Sequence, residues 1–201
     1  YLYAKILLTG DGVAIDEEKA LEYCQRSISK GNSNAINMYA TMLRYGNGIS
    51  EDKKEAVKNY KLAVEKGNSN AMFNYAFMLK KGEGIKSNKD EAIKYLKMGI
   101  DKGNDAAMNM YGMMLKKGDD VSINLKEAAR LFKLSAEKGN SIAMYNYASM
   151  LKKGKGVQVD LFESFNYFKK SADDGYAKAM FRVAEMLQTA TGCKIDYNLA
   201  L

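Results

Sequence analysis

Two glycine positions recur every 36 residues along this 201-residue chain. Gly31, Gly67, Gly103, Gly139 and Gly175 form one column, and Gly10, Gly46, Gly82, Gly118 and Gly154 form another. Ala35, Ala71, Ala107, Ala143 and Ala179 keep the same spacing. So do Leu7, Leu43, Leu79, Leu115, Leu151 and Leu187, and Tyr3, Tyr39, Tyr75, Tyr111 and Tyr147. Residues 71–85 and 143–157 are identical at 11 of 15 positions. A chain that returns to the same residues in the same phase repeats one small supersecondary unit. Such a unit buries its apolar face only by stacking on its neighbours.

Each period reads as two helices. The first is predicted from about Asp16 to Lys30. Asp16, Asp52, Asn88, Asn124 and Asp160 stand at its N-cap, where a short side-chain oxygen accepts a free N–H of the first turn. Ala20, Tyr23, Cys24, Ser27 and Ile28 recur at helical spacing and mark its buried stripe. Gly31 and its equivalents supply the left-handed residue that ends the helix. The second helix is predicted from about Ser33 to Tyr45, with Ala35, Tyr39 and Leu43 on one face. The lysine pairs Lys80–Lys81, Lys116–Lys117 and Lys152–Lys153 occupy its last turn, at the negative end of the helix dipole. The column Val13, Ile49, Ile85, Val121 and Val157 is expected to plug each loop into the stack. The chain has no proline to break a helix.

The run Gly46-Asn47-Gly48-Ile49 through Ala56, Tyr60, Ala63, Gly67, Ala71, Tyr75 and Leu79 resembles the Sel1-like repeat, a relative of the tetratricopeptide repeat. The resemblance covers nearly the whole chain. It implies an all-α, right-handed α-solenoid of 36-residue helix–turn–helix Sel1-like repeats with an extended concave surface. The single solenoid spans 1–201, with a partial unit 1–15, repeats at about 16–51, 52–87, 88–123, 124–159 and 160–195, and a partial unit 196–201. Asp120 in place of the second loop Gly, Ser164 in place of the first Ala and Val183 in place of Tyr read as repeat drift. No polar capping helix and no initiator Met are visible, so the chain is expected to be a segment of a longer solenoid.

Little in the sequence points to catalysis. There is no histidine, which removes the usual general base and the usual zinc ligand. Cys24 shares a column with Tyr60, Leu96, Phe132 and Phe168, and Cys193 shares one with Val121 and Val157, so both read as apolar fillers. The Gly-x-Gly loops follow a helix and not a strand, which is the wrong context for phosphate. Asp11 and Asp16 lack the ligand spacing of a calcium loop. No metal or cofactor is expected. Nine methionines fall in two columns of the second helix (Met72, Met108, Met144, Met180; Met42, Met78, Met114, Met150, Met186) and are expected to pack the core. No apolar run approaches the length of a membrane span. The lack of Asn-x-Ser/Thr sequons and of a cysteine framework points to a cytoplasmic setting, with a cytoskeletal association or the ER lumen as alternatives.

The most informative surface feature is a cationic ladder on the first helix: Lys61, Lys97, Lys133 and Lys169, flanked by Lys58, Lys94 and Arg130. By resemblance to tetratricopeptide stacks, this helix lines the concave face. Glu65, Asp101, Glu137 and Asp173 lie four residues beyond the ladder. Two readings stand open. Either these i, i+4 pairs neutralise a solvated face at about 0.2–0.5 kcal/mol each, or a basic groove receives an acidic surface or tail. No aromatic column interleaves with the ladder, which argues against specific nucleic-acid binding. The resemblance implies a non-catalytic adaptor or scaffold for other proteins in a multiprotein assembly. The alternatives are a structural part of a cytoskeletal-type complex, docking acidic surface through the ladder, and a hydrolase-like relative that binds β-lactams.

Overall fold

The computed structural model describes residues 1–192, and in them the chain forms helices α1 (Leu2–Thr9), α2 (Glu17–Ile28), α3 (Ser33–Tyr45), α4 (Lys53–Glu65), α5 (Ser69–Lys81), α6 (Lys89–Asp101), α7 (Asp105–Lys117), α8 (Leu125–Glu137), α9 (Ser141–Lys153), α10 (Leu161–Asp173) and α11 (Ala177–Gln188). No strand occurs among the described residues. Two compact units divide the chain: Tyr1–Lys102, holding α1–α6, and Gly103–Leu201, holding α7–α11.

Caps set the phase. The side chains of Asp16, Asp52, Asn88, Asn124 and Asp160 each accept the backbone N–H three residues on, from Lys19, Glu55, Glu91, Glu127 and Glu163. A second cap, at the start of the other helix, escapes the sequence reading. Asn32, Asn68, Asn104 and Asn140 accept the first-turn N–H groups of α3, α5, α7 and α9. The amide nitrogens of Asn68 and Asn140 also reach backwards. Asn68 Nδ2 donates to Asn34 Oδ1 at 2.7 Å, and Asn140 Nδ2 to Asp105 Oδ2 at 2.8 Å. Tyr176 occupies this position before α11 and makes no side-chain cap.

The loops are stapled through backbone. The N–H of Asp52 donates to the Leu43 carbonyl at 2.8 Å, and Asn88 to Leu79, Asn124 to Leu115 and Asp160 to Leu151 do likewise. The leucine column thus fills the core and anchors the next helix start. Gly84 has a left-handed backbone at φ 68°, and the hydrogen it carries in place of a Cβ faces the Lys53 carbonyl at the start of α4. Asp120 holds the equivalent conformation at φ 63°, which Asp tolerates better than most residues. Drift at this position therefore leaves the loop intact.

In the first unit α3 packs mainly on α4 and α5 on α6; in the second, α7 packs on α8 and α9 on α10. Tyr60, Leu96, Met42, Met78 and Leu79 fill the first core, and Phe132, Leu131, Phe168, Met150 and Met186 the second. The column Cys24, Tyr60, Leu96, Phe132 and Phe168 is at most 1% exposed. Small residues opposite it set the spacing. At Gly112, where other repeats have Ala, an added Cβ would lie 2.9 Å from the Phe132 ring. Ser164 replaces alanine yet is fully buried, because its hydroxyl donates to the Ala148 carbonyl at 2.8 Å. Edge-to-face tyrosines join neighbouring helices: Tyr75 with Tyr95 at 4.9 Å and Tyr147 with Tyr167 at 5.0 Å.

Two expectations about packing change. The loop column is only half-buried at Ile49, Ile85, Val121 and Val157, and Val13 is exposed, so the staples and not the plug hold the loops. Met180 is 48% exposed, while the other eight methionines of the two columns are buried. No helix among the described residues covers that face of α11. Val183 is partly buried against the cluster around Phe168 and Ala179. Cys193, Asp196 and Ala200 lie outside the described residues.

Candidate protein-binding surfaces

Helices α4 and α6 bury Ala56, Val57 and Tyr60, or Ala92 and Leu96, and leave the opposite stripe to water. Lys58 and Lys61, and Lys94 and Lys97, all lie on that exposed stripe. In the second unit α8 and α10 expose Arg130, Lys133 and Lys169. The two columns behave differently. Lys58 Nζ pairs with Glu55 at 2.8 Å, and Arg130 grips both oxygens of Glu127 at 2.6 and 2.8 Å. Lys94 Nζ lies 6.0 Å from the centre of the Tyr95 ring.

The i, i+4 pairing does not form at Lys61, Lys133 or Lys169. Among the described residues, Lys61, Lys133 and Lys169 make no ion pair with the acids that follow them. Glu65, Glu137 and Asp173 are the last residues of α4, α8 and α10, where the dipole disfavours an anion. Fixing two long side chains in water costs about as much as an exposed pair returns. An aromatic approaches the ladder at Lys133, whose Nζ lies 6.0 Å from the Tyr147 ring centre. Tyr147 is 5% exposed and edge-on to Tyr167, so it offers no free face for a base to stack on.

A second set of cations is more deeply placed: Arg44, which the sequence reading does not single out, and Lys116 and Lys152, which it reads only as dipole partners. Arg44, near the end of α3, is buried. Its guanidinium donates to Glu83 Oε2 at 2.8 and 3.0 Å and lies 4.5 Å from the Phe77 ring centre and 4.9 Å from that of Tyr45. The equivalent residue two repeats on is Lys116, half-buried, with its ammonium 5.9 Å from the Phe132 ring centre. Burial, aided by the charges of Lys153 and Lys155, holds the Lys116 ammonium below the usual lysine range. Lys152, one repeat further, meets Glu185 at 3.7 Å. The signal was present in the sequence as a column 39 residues downstream of the first, Glu83, Asp119 and Lys155, in which the charge changes sign.

No group of three or more His, Cys, Asp or Glu side chains capable of holding a metal occurs among the described residues. Cys24 is fully buried and its thiol donates to the Ala35 carbonyl at 3.2 Å. Burial pushes that thiol up to about 11. At pH 8 about one Cys24 in a thousand is then thiolate, against about one in ten for an unperturbed thiol of 9.0. In a Cys193→Ser variant, iodoacetamide is therefore expected to label Cys24 at pH 8 only after unfolding, as read by intact-mass spectrometry. Rapid labelling of the folded chain would show an accessible thiol.

The Sel1 repeat profile matches residues 1–32, 33–68, 69–104, 105–140, 141–176 and 177–201. The internal segments have the length read from the caps but begin at the second helix of each predicted unit. No curated protein matches the chain. Its fold is similar to a Sel1 repeat protein from Oxalobacter formigenes, at 22% identity and TM-score 0.82 over 92% of this chain and 76% of that one. It is similar also to c5321, a protective antigen present in uropathogenic Escherichia coli strains, at 26% identity and TM-score 0.78 over 96% of this chain. The chain spans 42% of that antigen's length. A third likeness is to the Helicobacter pylori cysteine rich protein B, at 20% identity and TM-score 0.53 over 65% of this chain and 93% of that one.

Proposed function

The chain belongs to the Sel1 repeat family, and on that premise we propose that it is a non-catalytic adaptor that binds other proteins within a multiprotein assembly in the cytoplasm. The observation that carries this reading is the exposed cationic stripe of the first-helix column. The ammonium groups of Lys61, Lys133 and Lys169 are in water and not held by the acids of their own helices. A solvated cation loses less on meeting an external carboxylate than one already paired, because no existing ion pair is broken. The partner surface favoured by this chemistry is acidic. The net charge of +7 adds long-range attraction to it.

Charge reversal tests the reading. Lys61→Glu, Lys97→Glu and Lys133→Glu together are expected to abolish partner retention in a pull-down with the native complex, while far-UV circular dichroism stays unchanged. Crosslinking mass spectrometry on the parent chain is expected to place crosslinks on α4 and α8. Undiminished retention by the triple variant would remove the basic stripe from the function. No feature of the described residues favours the hydrolase alternative, and likeness to a cysteine rich protein at 20% identity carries the fold alone.

A further inference from the structure

The second unit repeats the geometry of Arg44 and Glu83 but changes its chemistry. Position 83 follows the C-cap Gly82 of α5, and its N–H donates to the Met78 carbonyl at 3.1 Å. Position 155 follows the C-cap Gly154 of α9, and its N–H donates to the Met150 carbonyl, also at 3.1 Å. The two loops therefore present their side chains from the same backbone turn. In the first unit that turn delivers the Glu83 carboxylate to a buried guanidinium. In the second the same turn carries an exposed lysine, Lys155, whose charge disfavours the half-buried ammonium of Lys116.

Among the described residues no ion pair joins a carboxylate to Lys116, Lys153 or Lys155. Burial and the charges of Lys153, Lys155 and Lys117 disfavour the Lys116 ammonium, and only the Tyr145 phenol favours it among the strongest influences. Lys152, on the same helix, is taken by Glu185, which also holds Arg182 at 2.8 Å. Lys116 is further fixed by contact with the Phe132 ring, so its direction is set before any ligand arrives. A cation that is partly desolvated, oriented and unpaired is costly to keep, and an incoming anion removes the cost.

We propose that Lys116, Lys153 and Lys155 form a docking site for the carboxylate side chains of an acidic segment of a partner protein, which takes the place that Glu83 fills in the first unit. The choice of a carboxylate follows from the chain itself, since that is the group this turn supplies to Arg44. The site rests on the reading of the chain as a protein-binding module, and its residues belong to the second helices and their loops, not to the first-helix column of Lys61 and Lys133.

The test measures binding of fluorescein-labelled hexaglutamate to the full chain by anisotropy at low salt, together with the melting temperature. Lys155→Glu supplies the missing carboxylate from within. It is expected to weaken hexaglutamate at least tenfold and, unlike most surface substitutions, to raise the melting temperature by a few degrees. Lys155→Gln is expected to give a smaller loss. Lys30→Glu, a charge reversal at an exposed residue outside both cation sets, is expected to change binding less than twofold. A Lys155→Glu chain that binds hexaglutamate as tightly as the parent, or that shows no thermal gain, overturns the proposal. So does a chain that ignores hexaglutamate but binds a labelled oligonucleotide of equal charge. Native partner retention that survives Lys155→Glu but is lost on Lys61→Glu, Lys97→Glu and Lys133→Glu removes this site and leaves the adaptor reading standing.

Discussion

Gly84→Ala is expected to destabilise the first unit by about 3–4 kcal/mol, whereas Gly67→Ala should cost only about 1 kcal/mol. Both glycines have left-handed backbone, at φ 68° and 79°. Any L-residue pays roughly 1–2 kcal/mol in that region. The difference lies in what surrounds them. An added Cβ at Gly67 meets nothing within 4 Å, but at Gly84 it meets the Lys53 carbonyl oxygen and carbon. These are backbone atoms in the first turn of a packed helix and cannot swing aside. The loop and helix must separate by roughly an ångström, with a repacking cost of about 1–3 kcal/mol. Urea denaturation followed by circular dichroism checks the ranking. Equal midpoints for the two variants would mean that the loop slides freely over α4. The same asymmetry is built into the second unit, where Gly156 faces the Leu125 carbonyl and Gly139 faces open space.

Removing one partner of the Arg44–Glu83 pair should also be costly, and removing both should be nearly harmless. Glu83→Ala leaves a guanidinium that is 8% exposed without its anion. The expected loss is about 2 kcal/mol, below the 3–5 typical of fully buried pairs because the Glu83 carboxylate still reaches water. Arg44→Met keeps most of the packing against Phe77 and Tyr45 while removing the charge. The double variant Arg44→Met, Glu83→Ala is expected to fall within about 1 kcal/mol of the parent. A double-mutant cycle in urea reads this coupling. Losses that simply add would show that the two side chains do not sense each other.

The period was legible because each of its columns does one mechanical job. Glycine marks a left-handed turn, Asp or Asn marks a cap, and leucine marks a core position whose carbonyl also receives the next loop. These jobs depend on neighbours close in sequence, so local rules sufficed for the helix starts and the buried stripe. The cap at Asn32, Asn68, Asn104 and Asn140 is visible only as a Gly-Asn pair, in which the glycine alone accounts for the turn and leaves the asparagine without an evident task. The cations were harder. Arg44 and Lys116 share one column and the same place in the last turn of the second helix. What separates them is the group delivered by a loop one repeat later, acidic at Glu83 and basic at Lys155. Pairing at 39 residues' separation, read across two columns of different phase, lies outside any helical-wheel rule. The i, i+4 rule does not hold at Lys61, Lys133 and Lys169 for a related reason. It describes what is within reach, not whether a lysine free in water gains by reaching.

The asparagine caps give the chain a means of counting. Asn68 and Asn140 each split their amide between two tasks, the oxygen closing the helix that follows and the nitrogen gripping the hairpin before. Both tasks are met only when successive hairpins are one whole period apart. An insertion or deletion of a complete period preserves every such amide, while a slip of one or two residues forces each to abandon a partner. Such a chain can change length by duplication or loss of whole units and resist erosion within them. Its gene can thus drift in the number of hairpins while the spacing between them stays indexed.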